Sequence, residues 1–169
     1  MKKEQLLWFA LAMFLLMGIA ASCTEEDAPA DQRLINKENK EAGERFLEEN
    51  KTNEGVRQTS SGLQYKEEKK GSGLRPVDED SVNISYTGRL IDGTVFVSVT
   101  EDVLLKKQLL GIREGIRLMR EGSRYTFFIP YYLAYEASSQ TKTYDNKLIT
   151  IKPYSVLIFD ITLNRVTKN

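Results

Sequence analysis

An α+β fold is predicted for this 169-residue chain: an antiparallel β-sheet wrapped around one short α-helix, preceded by a signal peptide, a tether and a short helix. Three observations predict it. From residue 63 onward, segments with an apolar residue at every second position recur, as expected of strands with one buried face. One stretch between them, carrying Ile112, Ile116 and Met119, has helical spacing instead. Upstream, an apolar N-terminal run gives way to a charged segment with too few large side chains for a core of its own.

The leader comes first. Met1-Lys2-Lys3 precedes an apolar run over residues 6–21, interrupted only by Gly18. That is short of the roughly 20 residues that span a bilayer comfortably, and a positive start with a small-residue end reads as a secretory signal. The end, Ala20-Ala21-Ser22-Cys23, resembles the bacterial lipoprotein signal, in which the cysteine is lipidated and becomes the first residue of the mature protein. This accounts for the only cysteine of the chain. An uncleaved anchor and an ordinary cleaved signal are the competing readings. Each buried methylene of an acyl chain contributes about 0.8 kcal/mol, so several chains hold a protein on a membrane. Thr24-Glu25-Glu26-Asp27 follows; it resembles the surface-export tag of lipoproteins in the Bacteroidota, and equally reads as a solvated linker. The expected location is therefore the bacterial cell envelope, at the outer membrane, with the exposed face left open.

Residues 24–33 have the composition of a tether. Over 34–50, Ile35, Ala42 and Phe46 fall at i, i+7 and i+11, so one face of a thin helix is apolar, with Asn50 as its stop. The expected organisation is a signal peptide at 1–22, lipidated cysteine, tether and short helix at 23–50, and one domain at 51–169. Within that domain, 52–62 reads as a connector. Val82, Ile84 and Tyr86 alternate with Asn83, Ser85 and Thr87 in a strand, and Asp92-Gly93 marks a hairpin. Tyr125, Phe127 and Ile129 form one face of a second strand; Leu157, Phe159, Ile161 and Leu163 form one face of a third. Gly122 is the expected stop of the intervening helix.

Composition excludes much. The 24 Lys+Arg balance 24 Asp+Glu, which argues against a nucleic-acid partner. One cysteine forbids an internal disulfide and any multi-cysteine metal site. The absence of histidine removes Ser-His and Cys-His nucleophiles and the usual zinc sites. No cofactor and no metal are expected. Glu48-Glu49, Glu67-Glu68 and Asp78-Glu79-Asp80 read as solvated charges rather than a glycosidase pair, and Gly71-Ser72-Gly73 as a turn rather than a phosphate loop.

Four segments carry a family resemblance. Val82-Asn83-Ile84-Ser85-Tyr86-Thr87-Gly88-Arg89-Leu90-Ile91-Asp92-Gly93-Thr94-Val95-Phe96 resembles the first signature of the FKBP-type peptidyl-prolyl cis-trans isomerases. Gly111 to Met119 resembles the segment entering their single helix, and Ile129-Pro130 with Leu133-Ala134-Tyr135 the loop over their pocket. Leu157-Ile158-Phe159-Asp160-Ile161-Thr162-Leu163 is similar to their last strand. Upstream, Phe46 to Lys51, Glu54-Gly55-Val56 and Ser61-Gly62-Leu63-Gln64-Tyr65 resemble the connector of the macrophage-infectivity-potentiator branch.

The resemblance implies a peptidyl-prolyl isomerase assisting the folding of exported or outer-membrane proteins, with proline-containing unfolded polypeptides as partners. The alternative is a catalytically weak peptide-binding or chaperone lipoprotein with the same pocket. By position, Tyr86, Phe96, Ile112 and Phe159 would line a proline pocket. Tyr135 would sit at its rim and donate its hydroxyl to a substrate carbonyl. Leu109 would offer a backbone N–H to a second carbonyl, and Val97 would lie beside the bound amide. Three departures bear on rate. Val97 stands where the family has aspartate, Ile112 where it has tryptophan, and Glu136 where it has glycine after the rim tyrosine, so the loop there is expected to bend differently. Val103 or Leu104 is expected to fill the place of a second phenylalanine. The segment over 34–50 is far shorter than the dimer arm of the infectivity-potentiator branch, so a monomer is expected.

Overall fold

The computed structural model describes residues 29–169. The expected signal peptide, the lipidation candidate Cys23 and the acidic tract at 24–27 lie outside the described residues. The chain divides into two units, Met1–Arg33 and Leu34–Asn169. Of the first, Pro29 and the opening turn of a helix are described, with the Arg33 N–H donating to the Pro29 carbonyl at 3.0 Å. That helix, α1 (Ala30–Asn50), continues into the second unit and begins inside the segment expected to be a tether. Among the described residues, no helix is long and apolar enough to cross a membrane.

The second unit is built on a six-stranded antiparallel sheet. Its strands are β1 (Val56–Gln58), β2 (Gln64–Lys69), β3 (Ser81–Arg89), β4 (Val95–Leu104), β5 (Arg124–Ile129) and β8 (Leu157–Thr167). They lie in the order β1-β2-β5-β8-β3-β4. A separate hairpin pairs β6 (Gln140–Tyr144) with β7 (Lys147–Ile151). The faces expected from the alternation are the buried ones: Val82 and Ile84 on β3, Tyr125, Phe127 and Ile129 on β5, and Leu157, Phe159, Ile161 and Leu163 on β8. The hairpin at Asp92-Gly93 connects β3 to β4, with Gly93 at φ 86° and the Leu90 N–H donating to the Thr94 carbonyl at 2.9 Å.

The sheet's apolar face is covered by α2 (Leu110–Leu118), which buries Gly111, Ile112, Gly115 and Ile116. A β-carbon at Gly111 would stand 2.4 Å from Ile129 Cγ2, and one at Gly115 2.6 Å from Phe127 Cε1. Both distances are far inside van der Waals contact. Two glycines one turn apart thus let the helix backbone rest directly on β5. The helix ends earlier than the expected stop at Gly122. Met119 is already extended, and its side chain is fully buried in the core. Gly122, at φ 86°, turns the chain into β5 instead.

Helix α1 docks on the domain through a different face from the one expected. Ile35 is 41% exposed, whereas Asn36, Gly43 and Asn50 are buried. The seam is polar. Asn39 donates to the Pro153 carbonyl and to Ser155 Oγ, and Asn50 Nδ2 donates to Gln64 Oε1 at 2.8 Å. Gln64 Nε2 in turn donates to the Leu47 carbonyl at 2.8 Å. Phe46 keeps its expected role, its ring 6.0 Å from that of Phe128. A rule that looks for apolar residues misplaces a helix held by amide hydrogen bonds.

Two elements were not expected. The connector at 52–62 contains β1, an edge strand too short and too exposed to show alternation. The hairpin of β6 and β7 turns at Asp145 and Asn146, both at positive φ (50° and 57°), as a tight two-residue hairpin turn requires.

The helix–sheet contact yields the first prediction. Gly115→Ala inserts a methyl group against the Phe127 ring and should lower the unfolding free energy by about 1–3 kcal/mol in urea titrations. A loss below about 0.5 kcal/mol would show that α2 has room to lift.

Candidate active site

Between α2 and the sheet lies a cavity of about 290 Å³. Its well is aromatic. Phe96 on β4 and Phe159 on β8 meet edge to face, with centroids 5.6 Å apart at 81°, and Tyr86 on β3 lies 6.0 Å from Phe159. Gly88 makes the space for them, because a β-carbon there would stand 2.8 Å from ring carbons of both phenylalanines. Ile112, on the buried face of α2, closes the well from the helix side, and it and the two phenylalanines are each at most 5% exposed. Ile84 and Ile161 add aliphatic wall.

The rim is built by loops and edges. Tyr135 follows β5 on a turn held at both ends: the Glu136 N–H donates to the Tyr131 carbonyl at 2.9 Å, and the Tyr154 N–H donates to the Glu136 carbonyl at 2.8 Å. Helix α1 supports this turn from behind, with Lys40 Nζ 5.6 Å from the Tyr131 ring centroid and 5.7 Å from that of Tyr154. Leu109 is the N-cap of α2, so its N–H precedes the helical ladder. Gln108, Val97 on β4, and Lys142 and Thr143 on β6 complete the lining.

All seven residues singled out from the sequence, Tyr86, Phe96, Val97, Leu109, Ile112, Tyr135 and Phe159, line this one cavity. One expectation fails. Val103 and Leu104 do not line it, because β4 runs extended to Leu104 and carries them away; Val103 lies opposite Val82. Glu136 adopts φ 52°, the left-handed conformation that suits glycine, and the two backbone hydrogen bonds hold it there.

Val97, where the family has aspartate, puts no polar side chain beside the bound amide. Farther along β4, outside the lining, the Tyr86 hydroxyl donates to Glu101 Oε1 at 2.6 Å. In the register of β3 and β4, Glu101 stands opposite Ile84, two residues from Tyr86 on the same face. Burial, reinforced by this carboxylate, pushes Tyr86 ionisation well above the ordinary tyrosine range, so the hydroxyl stays protonated. Glu101 and Lys142 escaped the sequence reading, the first for want of a register and the second for want of the hairpin. The Asp-Asn pair between β-prone runs was the available signal for that hairpin.

The cavity offers an apolar aromatic well, a hydroxyl at the rim and a backbone N–H at a helix start. Tyr86, the lining hydroxyl with a carboxylate beside it, is held protonated by burial, and no group of metal-ligating side chains occurs among the described residues. Such a site can bind an apolar ring and hold the carbonyls beside it.

The chain is similar to known proteins. Residues 73–164 match a family model described as FKBP-type peptidyl-prolyl cis-trans isomerase, and residues 15–66 one described as the domain amino terminal to it. The chain is 42% identical over 135 residues to the probable FKBP-type peptidyl-prolyl cis-trans isomerase FkpA of Neisseria meningitidis serogroup B, covering 77% of this chain and 47% of that protein. It is 34% identical over 169 residues to the macrophage infectivity potentiator of Trypanosoma cruzi, covering 92% and 83%. The crystal structure of FkpA from Escherichia coli superposes with a TM-score of 0.72 at 29% identity, covering 82% of this chain and 63% of that one. The chain spans about half the length of the FkpA proteins it matches.

The turn behind Tyr135 carries its own prediction. Glu136→Gly removes the left-handed strain of a residue with a β-carbon, and thermal or urea unfolding should show a gain of about 1 kcal/mol. A loss would mean that the Glu136 side chain contributes more than its backbone conformation costs.

Proposed function

The chain belongs to the FKBP-type peptidyl-prolyl cis-trans isomerase family, and from that premise we propose that its cavity accelerates rotation about X–Pro peptide bonds in proline-containing polypeptides. The observation that carries this reading is the aromatic well of Tyr86, Phe96 and Phe159 closed by Ile112, with Tyr135 at its rim.

The reaction asks little of side-chain chemistry. The barrier, about 18–20 kcal/mol, comes from the partial double bond of the planar amide. No bond is broken and no proton needs to move, which suits a chain without histidine. What is required is tighter binding of the twisted amide than of either planar isomer. The proline ring enters the well. A twisted amide has less charge separation than a planar one, so apolar walls favour it. The Tyr135 hydroxyl donates to a carbonyl beside the proline, and the Leu109 N–H donates to the next. Each tenfold gain in rate requires about 1.4 kcal/mol of preference for the twisted state. Ile112 offers this well less surface than an aromatic floor and lacks a ring face, which favours the second reading, a binding module of low activity.

The leader supports the setting. Acyl chains on Cys23 would hold the domain on the outer membrane, where its clients are exported polypeptides. The docking of α1 on its own domain, through Asn39, Phe46 and Asn50, supports a monomer.

The test is cis-to-trans relaxation of a Leu-Pro tetrapeptide with the full chain in mild detergent. The expected result is acceleration at micromolar protein, inhibited by a macrolide ligand of the family. Tyr135→Phe, losing one hydrogen bond to the substrate, should lower kcat/KM about threefold to tenfold. With no histidine, and with Tyr86 held protonated, the rate should stay flat from about pH 6 to about pH 9. A folded chain that accelerates nothing would overturn the isomerase reading and leave the binder.

A further inference from the structure

The cavity is lined by neutral side chains except at one point. Lys142 is the only charged residue among those lining it. Its Nζ stands 5.8 Å from the centroid of the Tyr135 ring, and no described ion pair includes it. A half-buried ammonium facing an apolar well and an aromatic ring has an unused capacity for an anion. The carboxylate near the well on the β4 side, Glu101, is already engaged by the Tyr86 hydroxyl.

Lys142 is also held in place. It sits on β6 opposite Ile149 of β7, and Ile149 packs against the core while Ile151 at the end of that strand is 1% exposed. The cation is therefore presented by an anchored hairpin rather than by a free loop.

We propose that Lys142 sets the sequence preference of the site, selecting substrates with an acidic side chain, glutamate or aspartate, on the residue before proline. The inference rests on the isomerase reading for the placing of the peptide. The Tyr135 hydroxyl donates to a carbonyl beside the proline, and the Lys142 ammonium lies over the same ring. A side chain leaving that part of the peptide backbone passes within reach of the cation. A glutamate there gains an opposite charge at the edge of a low-dielectric well; a lysine meets a like charge. At separations of about 6 Å with partial solvent screening, the two should differ about tenfold.

The experiment uses the full chain in mild detergent with three tetrapeptides that differ only before proline: glutamate, leucine or lysine. Relaxation kinetics give kcat/KM, and fluorescence or NMR titration gives the dissociation constant for each. The expected Glu-Pro over Lys-Pro ratio is about ten at low salt, shrinking to about two to three in half-molar sodium chloride. Lys142→Arg should preserve the ratio, Lys142→Met should bring it close to one, and Lys142→Glu should invert it. Equal values for Glu-Pro and Lys-Pro in the unsubstituted chain would overturn the proposal without recourse to any variant. So would a preference that survives Lys142→Glu. If no peptide is accelerated yet Glu-Pro binds more tightly than Lys-Pro, catalysis falls and the preference stands. If neither peptide binds, the preference falls as well.

Discussion

The contact of α2 with β5 sets the depth of the aromatic well. Gly111 and Gly115 present bare backbone to Ile129 and Phe127, so the helix sits closer to the sheet than a residue with a β-carbon would allow. Because Ile112 and Ile116 flank those glycines, the same approach brings Ile112 down as the closing wall of the cavity. It also starts the helix at the rim, with Leu109 as N-cap. A third glycine works in the same way on the sheet. Gly88 leaves the notch in which Phe96 and Phe159 meet edge to face. Depth and aromatic lining are thus set by absent side chains as much as by those present.

The rim depends on different forces. Backbone hydrogen bonds hold Glu136 in a conformation unusual for its type, and Tyr135 is aimed as a result. Behind that turn, α1 contributes an asparagine bonded to the 153–155 segment and a lysine over two tyrosine rings. The helix that precedes the domain is therefore part of the support of the site. On β4, Glu101 accepts the hydrogen bond of the tyrosine of the well. Glu101 itself is exposed and stands outside the lining of the cavity.

The alternation of β3, β5 and β8 made the buried faces readable, since each apolar residue there packs on one side of a sheet with one covered face. The seven lining residues were identified by motif, and the fold brings all of them to one cavity. What escaped was set by pairing and by polar contact. Glu101 reaches Tyr86 only in the observed β3–β4 register, and nothing in residues 97–104 fixes that register in isolation. Lys142 reaches the cavity on a hairpin whose β6 strand is almost wholly polar, so no hydrophobic pattern marks it. The docking face of α1 was misassigned because its seam carries amide side chains, Asn36, Asn39 and Asn50, which a search for apolar residues passes over in favour of Ile35 and Ala42.

The central claim is that this one well binds proline and rotates the bond before it. The most direct measurement is two-dimensional NMR of the full chain with a Leu-Pro peptide in excess, reading the protein's amide shifts and the peptide's cis–trans exchange peaks in one sample. The account predicts shift changes centred on Tyr86, Phe96, Leu109, Ile112, Tyr135 and Phe159, together with exchange peaks that are absent without protein. Uncatalysed exchange takes tens to hundreds of seconds, too slow to register on this timescale. Shift changes centred elsewhere, or exchange peaks that persist when the well is blocked by a macrolide, would contradict it.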